Sequence, residues 1–324
     1  MKSVPCAVIG VGYLGRFHAQ KYAAIPQTEL IGVVDTDPEQ AQRIAEETQT
    51  QAFTDYRELL GKVEAVSIVV PTTLHFEVAR DFLDSGAHVL VEKPITTTTE
   101  EAKQLIDLAK TRNRILQVGH LERFNPALMA LTEEPLEPLF IESHRLAPFK
   151  PRATDVNVVL DLMIHDIDII LNMLRSPITD MAVSGACVLS EALDIVNARL
   201  AFANGCVANV TASRVSQKTE RKMRIFQKQA YFSVDFQNRE LAMHSVDRDA
   251  SAQDKLHFDS KTRVFAAADA LLAEIQAFIA AIQGEAEVVV SGEDGLRALQ
   301  AAYDITQHLQ ANITQLANRE PTIQ

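Results

Sequence analysis

The chain has 324 residues, enough for two domains with real cores. Apolar residues make up 47% and charged residues 23%, an ordinary balance for a globular protein. The net charge of -12 argues against non-specific attraction to nucleic acid or to an anionic membrane. The first residues, Met1-Lys2-Ser3-Val4-Pro5, lead straight into a strand with no signal-type apolar region. Cys6, Cys187 and Cys206 sit in apolar, strand-like runs at spacings that match no zinc or redox motif. The expectation is a reduced, cytoplasmic protein without a bound metal.

Cys6-Ala7-Val8-Ile9 reads as the first strand and runs into Gly10-Val11-Gly12-Tyr13-Leu14-Gly15, with a helix following to about residue 24. The second strand, 30–34, is closed by Asp35, twenty residues beyond Gly15. That is the setting a G-x-G-x-x-G dinucleotide loop requires: strand before, helix after, acid beyond. Gly10 permits the tight turn, Gly12 lets a pyrophosphate approach the backbone, and Gly15 lets helix and strand pack closely. The helix N-terminus offers free N–H groups and the positive end of a dipole to the phosphates. Asp35 suits a ribose diol and repels a 2′-phosphate, and neither Thr36 nor Asp37 is an Arg that would hold one. NAD is therefore expected rather than NADP.

Helix and strand then alternate: helix 41–48, strand 52–53, a short helix 55–61, strand 66–70, helix 75–85, strand 88–92, helix to about residue 112 and strand 115–118. Thr98-Thr99-Glu100-Glu101 reads as the capping box of the last of these helices. This rhythm predicts an α/β domain, a doubly wound parallel sheet of Rossmann type, over 1–120. Ligands bind at the carboxyl ends of such strands. Those ends carry the glycine loop, Asp35, Pro71-Thr72, Glu92-Lys93 and Gly119-His120. Lys93 is singular. It follows the apolar run Val89-Leu90-Val91 and precedes Pro94, and a Lys at the mouth of a buried strand needs a partner or a task. Alone it fits a strand cap paired with a surface acid. Its place in the cofactor cleft favours a chemical role.

Beyond residue 120 the pattern changes. Helices are expected at about 126–131 and 158–174, and strand-like runs at 139–145, 182–189, 195–202, 206–213, 223–226, 230–236 and 240–245. Short turn-like links between them predict an α+β domain over 121–324 with a large, mostly antiparallel open sheet. Two helices, 266–283 and 293–309, end the pattern. The first carries Asp269 and Glu274, which makes it a core helix and not a membrane span. An uncovered sheet face suggests a homodimer or homotetramer.

The helix at 158–170 is apolar on nearly every side yet holds Asp161, His165 and Asp168 on one face. Three readings fit it: a mutually satisfied Asp–His pair, a zinc site on i, i+4 ligands, or a catalytic pair in which His165 moves a substrate hydroxyl proton and Asp161 orients it.

Taken together these motifs resemble the glucose–fructose oxidoreductase/inositol dehydrogenase (Gfo/Idh/MocA) family. The residues that carry the resemblance are the glycine loop, the Pro-Thr-x-x-His run Pro71 to His75, the stretch from Gly86 through Val91-Glu92-Lys93-Pro94, and Asp161-x-x-x-His165. The resemblance implies an NAD(P)-dependent oxidoreductase acting on sugars or polyols. It implies that Lys93 and His165 are the proton-transfer pair with Asp161 assisting, and that Glu92, Pro71, Thr72 and His75 lie near the nicotinamide. The helix opens with Asn157-Val158-Val159-Leu160 where family members usually carry glycines, so the substrate of the best-known members does not transfer.

Two further stretches, Gly119-His120-Leu121-Glu122-Arg123-Phe124-Asn125-Pro126 and His144-Arg145-Leu146-Ala147-Pro148-Phe149-Lys150-Pro151-Arg152, resemble the family's bacterial UDP-N-acetylglucosamine 3-dehydrogenase branch. That branch feeds amino-sugar synthesis for lipid A, and the resemblance implies a 3-keto sugar passed to a separate aminotransferase. His120, Arg123, Phe124, Arg145, Lys150 and Arg152 are then candidate substrate contacts. The cations Arg145, Lys150 and Arg152 suit a diphosphate, and they equally suit a solvated loop. Two other outcomes stay open: oxidation of a free polyol or monosaccharide, and a non-catalytic NAD- or sugar-sensing protein.

Overall fold

Six short apolar runs pair into one parallel sheet: β1 (Val4–Ile9), β2 (Thr28–Val34), β3 (Gln51–Phe53), β4 (Ala65–Ile68), β5 (His88–Glu92) and β6 (Leu116–Gly119), in the order β3-β2-β1-β4-β5-β6. The computed structural model describes residues 3–149, 157–247 and 257–317. From β1 the chain steps outward to β3, returns to β4 beside β1, and steps outward again to β6. The reversal between β1 and β4 opens a crevice at the carboxyl ends of the strands. The crossovers are α1 (Tyr13–Ala24), α2 (Pro38–Thr48), α3 (His75–Asp84) and α4 (Thr99–Arg112). Because such helices flank both faces of a parallel sheet, its central strands are buried on both sides, as in Ala65-Val66-Ser67-Ile68, where every residue is buried.

Polar side chains set where the helices begin. Asp37 accepts the Glu39 and Gln40 N–H groups at the start of α2. The Thr98 hydroxyl accepts from Glu101 N while the Glu101 carboxylate accepts from Thr98 N, the reciprocal box expected at the start of α4. Thr98→Ala is expected to lower stability by about 1 kcal/mol in a denaturant titration.

The remaining strands form one eight-stranded sheet: β7 (Phe140–Leu146), β8 (Ile178–Ala186), β9 (Ile195–Phe202), β10 (Val207–Ser213), β11 (Glu220–Gln227), β12 (Ala230–Asp235), β13 (Glu240–Asp247) and β14 (His257–Val264). Its order is β14-β13-β12-β11-β7-β10-β9-β8, and every neighbouring pair is antiparallel except β7 and β10. One face is apolar, with Val196, Ala198, Leu200, Ala208, Val210, Ala212, Met223 and Ile225 buried. The alternate positions, among them Glu142, His144, Asn197, Arg199, Thr211 and Arg224, form the polar face. The helices in this part are α5 (Pro126–Thr132) and α6 (Ile164–Leu174). After β14 come α7 (Ala270–Ile282) and α8 (Gly292–Ala317).

The chain forms two compact units, residues 1–124 with 269–299 and residues 125–268 with 300–324. A continuous division after residue 120 assigns α7 to the second domain, whereas the compact units group it with the first. The cause is apolar: Leu271, Ile275, Phe278 and Ile279 of α7 join Ala19 and Tyr22 of α1 and Val8 of β1 in one buried cluster. Val118 N of β6 also donates to Val290 O, which extends that sheet's edge. Among the described residues no helix is long and apolar enough to cross a membrane.

Candidate active site

The glycine loop turns between β1 and α1. Gly10 has φ +84°, and a Cβ there would lie 2.6 Å from Val69 O. A Cβ on Gly15 would fall 1.8 Å from Gly10 O, so helix and loop touch backbone to backbone. Gly12 differs: a Cβ there would meet nothing within 4 Å, which leaves open space at the head of α1. Among the described residues no side chain caps that helix, so its first N–H groups are open to a ligand. Tyr13 stands 86% exposed there, edge-on to Phe17 at 5.5 Å between ring centroids, with Leu14 beside it. Asp35 closes β2, and its carboxylate accepts Val11 N–H at 3.0 Å and Asp37 N–H at 3.1 Å. The acid is thereby pinned to the glycine loop. The cradle fits the pyrophosphate and ribose of NAD. Asp35→Ala is expected to raise the preference for NADP relative to NAD by about tenfold, roughly 1.4 kcal/mol, in paired kcat/KM measurements.

His75 is 1% exposed. Its Nδ1 lies 2.9 Å from Pro94 O and its Nε2 2.9 Å from Val70 O. Burial lowers its pKa and so favours the neutral ring. His75 thus lies between the loop after β4, with Pro71 and Thr72, and the loop after β5, the single N–H of its neutral ring donating to one of the two carbonyls. Lys93 stands half-buried at the end of β5, joined to Pro94 by a cis bond, and its N–H donates to Glu92 Oε2 at 3.3 Å. His120, Arg123 and Phe124, expected at a substrate, are buried at the end of β6 and in the turn Leu121–Phe124. The Arg123 guanidinium lies 3.9 Å from Asp294 Oδ1.

In the second unit the helix expected at 158–174 opens as a π turn, Val159–Met163, before it becomes α6. Asn157 Oδ1 accepts the Val159 and Leu160 N–H groups and so starts it. A wide turn of this kind often marks a functional position. Asp161 and His165 are half-buried, whereas Asp166 and Asp168 are buried, so the helix sorts its acids by depth.

Asp166 explains Arg145. The Arg145 guanidinium donates to Asp166 twice, Nε to Oδ2 at 3.1 Å and an Nη to Oδ1 at 2.8 Å, with the two side chains 3% and 2% exposed. It also lies over the Phe236 ring at 5.8 Å. Arg145 is thus a buried, charge-balanced strut between β7 and α6 and not the open cation expected of a basic patch. Lys150 and Arg152 lie outside the described residues. The basic run of β11 is likewise compensated, Lys222 by Asp235 and Arg224 by Glu142.

A doubly wound sheet with this loop, this acid and a lysine at the end of β5 defines a nicotinamide-dependent oxidoreductase. The sequence model of an oxidoreductase family with an NAD-binding Rossmann fold, GFO/IDH/MocA, matches residues 4–120, and that of the GFO/IDH/MocA C-terminal domain matches residues 140–233. The chain belongs to this family. It is 43% identical to a UDP-N-acetylglucosamine 3-dehydrogenase of Acidithiobacillus ferrooxidans, over 92% of this chain and 95% of the relative. It is 26% identical to an inositol 2-dehydrogenase of Rhizobium meliloti, over 93% and 95% of the two chains. A solved structure of the Acidithiobacillus ferrooxidans enzyme superposes with a TM-score of 0.89 at 41% identity, covering 96% of this chain and 99% of that one. A scyllo-inositol dehydrogenase from Lactobacillus casei, solved with NAD(H) and scyllo-inositol, shares the fold at 20% identity, with a TM-score of 0.79 over 96% and 98% of the chains.

Proposed function

We propose that this enzyme oxidises the C3 hydroxyl of UDP-N-acetylglucosamine to a ketone. The observation that carries the reading is the 43% identity to a dehydrogenase of that name along nearly the full length of both chains. NAD, held by Gly10, Gly12, Gly15 and Asp35, supplies the hydride acceptor. Lys93 or His165 takes the hydroxyl proton, with Asp161 assisting, and Glu92 with the Pro71–His75 loop lies near the nicotinamide end. The 3-keto sugar then goes to an aminotransferase, as lipid A or surface-polysaccharide synthesis requires. The polar open face of the eight-stranded sheet supports a homo-oligomer, and three free cysteines support a reducing, cytoplasmic setting.

One observation favours a second reading, oxidation of a free polyol. Arg145 is already balanced by Asp166 and so is not a cation in waiting for a diphosphate. The test is reduced-nicotinamide absorbance with NAD and UDP-N-acetylglucosamine, an aminotransferase and amine donor being added to draw the reaction forward. A signal that requires the UDP-sugar, with a product two mass units lighter before amination, supports the proposal. A signal with inositols or free sugars alone moves the substrate to the second reading, and NAD binding without turnover on any sugar points to a sensor.

A further inference from the structure

At the end of β5, next to Lys93 in the chain, the first unit gathers three titratable side chains that neither the cofactor cradle nor the proposed proton transfer uses as a set. His18 comes from α1, Glu92 from the end of β5 and Glu274 from α7. One ligand-type atom of each lies within 4.8 Å of the others. His18 Nε2 is 3.2 Å from Glu92 Oε1, while Glu92 Oε2 accepts the Lys93 N–H. His18 and Glu274 are fully buried, and Glu92 keeps 14% of its side chain exposed. The triad therefore meets solvent through Glu92 alone.

Among the described residues, both Glu274 carboxylate oxygens lack a hydrogen-bond partner, as does the nearby Gln117 Oε1; Gln117 Nε2 donates to the Glu274 backbone carbonyl. Tyr22 of α1, held to Ser67 at 2.9 Å, lies near Glu274, and α7 packs on the turn Leu121–Phe124, which carries Glu122 and Arg123. Arg123 is directed to Asp294. No ammonium or guanidinium is seen answering Glu274 among the described residues. Two ionised carboxylates side by side in such a place are strongly disfavoured. Burial pushes the Glu274 carboxyl well above the usual carboxylate range, and the neighbouring Glu92 charge adds to it.

We propose that His18, Glu92 and Glu274 act as one cluster in which Glu274 stays protonated through the working pH range, so that the cluster carries a single negative charge, on Glu92, whose Oε2 accepts the backbone N–H of Lys93. The consequence concerns the lysine. A second negative charge there would favour its ammonium form and hold it back from acting as a base. Glu274 is a positioning residue that limits the charge at the end of β5, and Glu92 is the link between the two. The role rests on the assignment of Lys93 as base, whereas the proton on Glu274 does not.

The two parts are tested separately on the full chain. Infrared spectra at neutral pH are expected to show a protonated-carboxyl stretch above the main amide band, shifted in heavy water and missing in Glu274→Gln. The pH profile of kcat/KM in Glu274→Gln is expected to superpose on the parent profile, because the amide mimics the neutral acid. Glu92→Gln is expected to move the acid limb to lower pH by about half a unit or more, because it removes the charge that favours the ammonium. Absence of the carboxyl stretch in the parent protein overturns the protonated state. So does a downward shift of the acid limb in Glu274→Gln, which would mean that an ionised Glu274 had been removed. A stoichiometric divalent metal in the purified protein, released by chelator with loss of stability, overturns the proton in favour of a cation. A carboxyl stretch with an unmoved profile in Glu92→Gln leaves the protonated acid in place and removes its effect on Lys93.

Discussion

Lys93→Met is expected to lower kcat by about 10²–10⁴-fold, the range for loss of a positioned acid–base group, with NAD affinity held within about twofold. The side chain stands at the carboxyl end of β5, while the pyrophosphate and ribose contacts belong to the glycine loop and Asp35. Methionine keeps the apolar stem and removes the amine, so packing at the strand end is largely preserved. The measurement is single-turnover absorbance alongside cofactor titration by fluorescence. Lys93→Arg is the informative companion: it keeps a cation but holds its proton at any working pH, and it should be nearly as slow. Turnover at the parent rate in either variant would take Lys93 out of the chemistry.

Asp166→Ala is expected to cost about 3–5 kcal/mol in the unfolding transition of the second unit, since it strands the Arg145 guanidinium in a buried place. The loss should appear in denaturant titration, and the double variant Arg145→Met with Asp166→Leu should recover much of it. Replacing a buried pair with apolar groups of similar volume is often neutral, whereas breaking it is not. Arg145→Ala separates a strut from a substrate contact. A strut predicts lower stability and an unchanged KM for the UDP-sugar in the fraction that remains folded. A diphosphate contact predicts the reverse, a KM raised about tenfold or more with the unfolding midpoint unmoved.

The first unit was legible because each of its signals is local. β5 falls at His88–Glu92 as the apolar run predicts, Thr98 and Glu101 close their box, and Gly10 and Gly15 sit where a Cβ would collide. What was hidden depends on partners distant in sequence. β14, His257–Val264, has only two apolar residues, Phe258 and Val264, among its eight and is held by its ladder to β13, so pattern alone passes over it. The π turn at Val159–Met163 has the same apolar residues an α-helix would use. Arg145 looks like a surface cation until Asp166, twenty-one positions on, is seen to meet it. Glu274 in an apolar helix showed only that the helix was no membrane span; its meeting with His18 and Glu92 exists only in three dimensions.

The placement of α7 has a consequence for biosynthesis. The first unit's core includes Leu271, Ile275, Phe278 and Ile279, residues made after every strand of the second unit. At about 5–20 residues per second, a ribosome takes on the order of ten seconds or more to add them once β6 has emerged. During that interval the nascent cofactor domain keeps an apolar flank along Ala19 and Tyr22 without its cover, a surface suited to a chaperone. A fragment ending at residue 124 should for the same reason be aggregation-prone, and supplying residues 269–299 as a separate peptide should restore its solubility.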